Sequence, residues 1–238
     1  MLIIELEEEI KILQSAKEKK FGQENKMKCR LCGDTAKRVY EAELYYQCPT
    51  CDLIFLPEKE LPSPQREKER YEEHDNNHQN EGYVRMFDDF IERAVEPYIE
   101  FESEKLALDF GCGHGPVLAD LMKKRGLEVD LYDPYFYPED IFESKKYDLI
   151  TSTEVFEHLT DPYFEIKRLV DSLKDDGLFS IMTHFHSTGP DFDLDQWWYT
   201  YDSTHITFYS WKTMEWIAEE FSLDILYKGK KKLFVYRK

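Results

Sequence analysis

Lys105-Leu-Ala-Leu-Asp-Phe110 is a short apolar run that ends on the alternating glycines Gly111, Gly113 and Gly115, and helical spacing follows from Pro116 to Arg125. A strand apolar along its whole length needs partners on both edges and cover on both faces, which a parallel sheet flanked by helices supplies. The alternation continues downstream. Leu127–Asp133, Tyr147–Ser152 and Gly177–Thr183 read as strands and Phe164–Leu173 as a helix, which predicts an α/β fold with a doubly wound, mostly parallel sheet. After a helix over Trp211–Phe221, the β-prone runs Leu223–Tyr227 and Leu233–Tyr236 meet at Gly229, so an antiparallel hairpin should close the sheet. Ahead of it all, Met86, Phe87, Phe90, Ile91, Ala94 and Val95 share one side of a helix expected over Tyr83–Phe101.

The glycine loop has a physical use. Glycine lacks a Cβ, so a strand that opens through glycines into a helix brings backbone and the helix N-terminus close to a ligand. A dinucleotide fingerprint requires its third glycine three positions after the second, where this chain has Pro116. Asp133, at the end of the next strand, stands where a carboxylate accepts ribose hydroxyls, a device shared by nicotinamide and adenosylmethionine sites.

Leu108-Asp-Phe-Gly-Cys-Gly-His-Gly115 resembles the first motif of class I S-adenosylmethionine-dependent methyltransferases, a Rossmann-like family, and the terminal hairpin is similar to that family's last two strands. The resemblance spans Tyr83 to Lys238. It implies that Asp109, Gly111, Cys112, Gly113 and Gly115 hold the methionine end of the cofactor and that Asp133, with Pro134 and Tyr135 beside it, holds the ribose. Glu154-Val-Phe-Glu-His158 is similar to the segment after the family's fourth strand, which adds Thr153, Glu154 and Val155 to the cofactor wall. The chain departs from the pattern between Asp133 and Tyr147, where thirteen residues are too few for a helix and a further strand bearing the acid that contacts adenine. Tyr135, Phe136 and Tyr137 there either stack on the base or cover a shortened sheet edge.

Cys29-x2-Cys32, fifteen intervening residues and Cys48-x2-Cys51 form a zinc signature, because each pair fits a tight knuckle and four thiolates complete a tetrahedron. Four protein ligands leave no open position, so the expected role is structural. Cys112 reads as a small filler, not a nucleophile. The organisation expected is a helix or tail over 1–27, a zinc ribbon over 28–57, a linker or lid over 58–82 opened by Leu61-Pro-Ser-Pro64, and the catalytic domain over 83–238. The whole order is similar to a group of small bacterial methyltransferases with an N-terminal zinc ribbon.

With 49 acidic residues against 31 Lys and Arg, the chain carries a formal charge of -18, which opposes nucleic-acid binding driven by phosphate neutralisation. The lysines of Lys228–Lys232 read as a solubilising turn. No apolar run reaches the ~18 residues of a membrane span, and the start of the chain has no export-signal pattern, so a reducing cytoplasm is the expected compartment. The partner expected is a small-molecule methyl acceptor. The aromatic stretch Asp195–His205 should lie at the carboxyl end of the sheet, with His205 as general base, as substrate orienter, or as a histidine bonded to a loop carbonyl. His74 in Tyr71-Glu-Glu-His-Asp-Asn76 is the second catalytic candidate, and the bacterial resemblance implies that this segment and Tyr83 close over the site. Two rival functions stay open: an RNA methyltransferase that uses the ribbon for nucleic-acid contact, and an idle cofactor-binding protein.

Overall fold

A computed structural model of the chain describes residues 26–39, 45–73, 77–101, 104–139, 141–187, 192–229 and 232–238. The N-terminal helix or tail and His74 lie outside the described residues, apart from Lys26 and Met27. The strands are β1 (Lys26–Lys28), β2 (Thr35–Arg38), β3 (Tyr46–Gln47), β4 (Ile54–Phe55), β5 (Leu106–Phe110), β6 (Glu128–Tyr132), β7 (Tyr147–Thr153), β8 (Leu173–Met182), β9 (Thr207–Phe208), β10 (Asp224–Lys228) and β11 (Leu233–Arg237). The helices are α1 (Pro64–Glu72), α2 (Glu81–Ala94), α3 (Val117–Lys124), α4 (Pro162–Ser172) and α5 (Trp211–Glu220).

The larger sheet runs β10-β11-β8-β7-β5-β6. Its last four strands are parallel, and β11 and β10 are antiparallel additions at the other edge. The expected α/β architecture and closing hairpin are borne out. One face packs on Phe87, Phe90 and Ile91 of α2 and Val117, Leu118 and Met122 of α3. The other packs on Ile166, Leu169 and Val170 of α4 and Met214 and Ile217 of α5. Helices on both faces explain why β5, β7 and the Gly177–Met182 part of β8 are buried along almost their whole length.

Helix α2 stops at Ala94, short of the expected Phe101. The reason is Pro97, which has no N–H to donate and pushes the preceding residue out of helical geometry. The polar stretch expected as a linker contains α1, which starts with Ser63 accepting from Arg66 N at 3.3 Å and Pro64 in the first turn. Among the described residues there is no further strand between β6 and β7, and β6 ends the sheet. The 3₁₀ turn Ile141–Ser144 covers that edge with Phe142, fully buried, its ring centroid 4.9 Å from Tyr132 and 6.0 Å from Phe110.

The cysteine-bearing strands do not form a free-standing body. Their sheet runs β1-β2-β3-β4-β9, and the fifth strand comes from beyond β8 of the larger sheet, with Ile54 opposite Phe208 and Phe55 opposite Thr207. Leu53, Phe55 and the cysteines share one apolar cluster with Phe156, Tyr209 and Met214. His186, just beyond β8, is buried and bonded to the Asp52 carbonyl at 3.0 Å, a further tie between the two sheets.

Candidate active site

The loop after β5 owes its path to two left-handed residues, Gly111 at φ 78° and Gly113 at φ 65°. A Cβ at Gly111 would stand 2.3 Å from Val155 Cγ2, so this glycine also permits the loop to lie against the segment after β7. Gly111 N and Cys112 N donate to the Tyr132 carbonyl at 2.7 and 3.2 Å, which ties the loop to the end of β6. Asp133 completes the tie: Oδ2 accepts Gly113 N at 3.1 Å, and Oδ1 accepts Tyr135 N at 2.9 Å and Phe136 N at 3.1 Å.

Asp109, at the end of β5, is fully buried and accepts from Thr151 Oγ1 at 3.1 Å. Burial lifts its carboxyl to about 7, against the opposing pull of Thr151 and the Ala119 N–H. The Cys112 thiol is pushed up by burial and then by the charges of Asp109 and Asp133, so it stays protonated and behaves as a filler. The Tyr83 phenol is likewise pushed up, chiefly by burial and then by Asp109 and Glu154.

These groups surround a cavity of about 1030 Å³. Asp109, Gly111, Cys112, Gly113, Asp133, Pro134, Tyr135, Thr153, Glu154, Val155 and Tyr83 all line it, as does His205. Gly115 is not among the lining residues; its carbonyl accepts Val117 N at 2.7 Å at the start of α3. Tyr135 is turned to α1, donating its hydroxyl to Glu67 Oε2. His205 Nδ1 meets the Tyr199 carbonyl at 2.7 Å, so the loop-carbonyl bond considered from sequence is present in a residue that also faces the cavity. Burial, followed by the neighbouring His158, depresses its imidazole to about 4. Trp198 and Tyr201 stand 57% and 71% exposed at the rim, while Tyr199 is buried.

Sequence reasoning missed Glu157, which lines the same cavity. Glu157 is fully buried; its Oε2 accepts from Thr183 Oγ1 at 2.8 Å, and its Oε1 has no hydrogen-bond partner among the described residues. Glu154 takes a left-handed φ of 53°, unusual for a side chain and a mark of strain held by its surroundings. Its Oε2 accepts from Tyr199 O–H at 3.3 Å, its Oε1 lacks a partner among the described residues, and burial, then the charge of Glu157, lifts its carboxyl to about 8. The Glu154–His158 motif flagged Glu154 and could have flagged Glu157 as well. Their partners Thr183 and Tyr199 come from distant segments.

Helix α1 roofs the cavity. The Tyr71 ring meets His158 edge-on with centroids 5.1 Å apart, and Arg70 pairs with Asp202 Oδ2 at 2.9 Å. Burial alone would raise the Asp202 carboxyl, yet the Thr204 hydroxyl and N–H, then Arg70, hold it far below the usual carboxylate range.

The four cysteines come together away from this cavity, with all four Sγ atoms within 4.8 Å of one another. Cys29 and Cys51 Sγ are 3.5 Å apart, and Cys32 and Cys48 Sγ 3.3 Å. Each knuckle turns on a left-handed residue four positions after its first cysteine, Gly33 and Asp52, whose N–H groups donate to the Cys29 and Cys48 carbonyls at 3.1 and 2.8 Å.

A family model described as a methyltransferase domain matches residues 77–228. The chain belongs to that family. The resemblance carried by Leu108–Gly115 is thereby borne out, and this methyltransferase domain has structural counterparts. Mitomycin 7-O-methyltransferase is 16% identical with a TM-score of 0.48, over 66% of this chain and 55% of that one. Coclaurine N-methyltransferase bound to N-methylheliamine and SAH is 19% identical with a TM-score of 0.42, over 66% and 54%. Phosphoethanolamine N-methyltransferase 2 from Haemonchus contortus is 16% identical with a TM-score of 0.44, over 61% and 42%. The chain thus spans about half the length of these proteins. No curated protein matches it.

Proposed function

We propose that the chain transfers a methyl group from S-adenosylmethionine to a small-molecule acceptor. The observation that carries this reading is the left-handed turn at Gly111 and Gly113, clasped by the buried acid Asp133 and lining one cavity with it. When bound, adenosylmethionine supplies a sulfonium-activated methyl group. Asp109, Gly111, Cys112, Gly113, Tyr83, Thr153, Glu154 and Val155 hold its methionine end on this reading, with Gly115 setting the exit into α3. Asp133, Pro134 and Tyr135 hold the ribose side. Carboxylates around a sulfonium favour the charged ligand, and α1, which lines the cavity with Glu67, Arg70 and Tyr71, limits the access of water from that side on this reading.

Methyl transfer is an in-line displacement in which alignment dominates. His205 faces the cavity with its Nδ1 on the Tyr199 carbonyl, so its Nε2 carries a lone pair in the neutral tautomer and can orient or deprotonate the acceptor. His74, outside the described residues, stays the second catalytic candidate on this reading. Cys29, Cys32, Cys48 and Cys51 fit Zn²⁺, because tetrahedral thiolates at the usual bond length sit about 3.8 Å apart and four of them leave no open position. The proposed organisation keeps an N-terminal segment over 1–27, the ribbon over 28–57, a lid over 58–82 and the catalytic domain over 83–238.

The charge of -18 favours a small acceptor over RNA, and no helix among the described residues is long and apolar enough to cross a membrane. Cytoplasmic residence is part of the proposal. The deciding experiment combines calorimetry with a metabolite-extract screen for S-adenosylhomocysteine release. Adenosylmethionine should bind, NAD should not, and some extract fraction should drive turnover; tight NAD binding would sink the reading.

A further inference from the structure

Two imidazoles and a carboxylate converge on one wall of the cavity. Glu157, His158 and His205 each offer a ligand atom within 4.8 Å of the others. His158 Nδ1 meets the Thr204 carbonyl at 2.9 Å and His205 Nδ1 meets the Tyr199 carbonyl at 2.7 Å. A carbonyl only accepts, so each ring carries its proton on Nδ1 and, when neutral, its lone pair on Nε2. Glu157 adds a third lone-pair donor: Oε1 is buried, has no hydrogen-bond partner among the described residues, and lies 4.0 Å from His158 Nε2.

We propose that Glu157, His158 and His205 form a divalent-cation site for a first-row transition ion on the wall of the methyl-transfer cavity. A buried carboxylate oxygen without a hydrogen-bond partner among the described residues, facing two imidazole nitrogens, is a donor set that a cation can complete. Histidines locked through Nδ1 onto backbone carbonyls have the outer-shell arrangement that fixes the tautomer and ring orientation of a metal ligand. Both carbonyls belong to one short segment, so the Tyr199–Thr204 loop sets the two rings together. Two imidazoles with one carboxylate suit first-row ions such as Mn²⁺, Fe²⁺ and Co²⁺ better than Ca²⁺ or Mg²⁺, which prefer oxygen alone. Glu154 Oε1, a second buried oxygen without a partner among the described residues, lines the same cavity and is available to the ion's water shell. Three protein ligands leave open positions, unlike the closed cysteine site. The two sites also differ in donor atoms, which makes them separable by spectroscopy. With the ion bound, the His205 Nε2 lone pair is a ligand, and an acceptor would be oriented through the ion and not through the imidazole; that step rests on the methyl-transfer reading, the ion's binding does not.

The test uses the full chain with its ribbon zinc retained, titrated with Mn²⁺ alone and without adenosylmethionine. Electron paramagnetic resonance should count one tightly held Mn²⁺ per chain, and pulsed measurement should detect coupling to imidazole nitrogen, which an all-cysteine site cannot give. His205→Gln and Glu157→Gln, each checked for native circular dichroism, should weaken Mn²⁺ by at least about 10-fold, while His184→Gln, in the same cavity, should leave it unchanged. Absence of imidazole coupling in the wild-type protein overturns the proposal, as does an affinity that His205→Gln does not move. Because no cofactor is added, failure of adenosylmethionine to bind would be a separate result.

Discussion

Asp133 holds Gly113 in place: one carboxylate oxygen accepts the Gly113 N–H at 3.1 Å while the other accepts those of Tyr135 and Phe136. The residue proposed to meet the cofactor's ribose is therefore also the clasp between the glycine loop and the segment after β6. Asp133→Ala should lower stability by about 1–3 kcal/mol, the usual cost of leaving such groups without a partner, and weaken adenosylmethionine at least tenfold. Urea unfolding and calorimetry on the same samples separate the two effects. Unchanged affinity in a folded variant would remove Asp133 from the ribose site.

Gly111→Ala introduces a Cβ 2.3 Å from Val155 Cγ2 at a residue whose φ is 78°. Left-handed backbone costs an alanine about 1–2 kcal/mol, and overpacking adds about 1–3 kcal/mol. Val155→Ala in the same chain should recover only the overpacking part. Denaturation of the single and double variants measures the split.

Burial of Asp109 sets a pH dependence. Its folded carboxyl titrates at about 7, above its ordinary value of 3.8, so the folded chain keeps a proton that the unfolded chain releases between those limits. Stability from this residue is therefore undiminished below the unfolded value, falls as pH rises through the window, and is lost above it, a drop on the order of a few kcal/mol. Asp109→Asn should flatten that slope between pH 4 and 7 relative to wild type, a comparison that cancels the buried Glu154 and Glu157. Equal slopes for the two proteins would show that Asp109 ionises normally.

Metal analysis should give about one zinc per chain in the ribbon. Cys48→Ser or a strong chelator should not melt the ribbon alone. β4 pairs with β9, so thermal unfolding should stay a single transition at a lower temperature. Two separate transitions would contradict the shared sheet.

The parallel core was legible because β5, the first half of β7 and the end of β8 are short β-prone, largely apolar runs and α3 to α5 have helical spacing, signals that act over ten residues. The glycine loop, Asp133, Tyr83 and His205 were legible as parts of one site for the same reason, each ending or following such an element. Helix α1 was hidden because its face carries charge and Tyr71, not an apolar stripe. The two residues of β9 are too few to show a period. Glu157 was hidden most deeply, since nothing local distinguishes it from Glu154; its burial comes from Thr183 and the Tyr199 segment.

The pairing of Ile54 with Phe208 joins residues about 150 apart in the chain. A ribosome adding roughly 5–20 residues per second presents the edge of β4 many seconds before its partner exists. Until then that edge is an open template for another chain, and closing so long a loop slows folding by raising contact order. Early zinc capture would keep the emerging knuckles compact during that interval, so cellular zinc supply should govern how much newly made protein escapes aggregation.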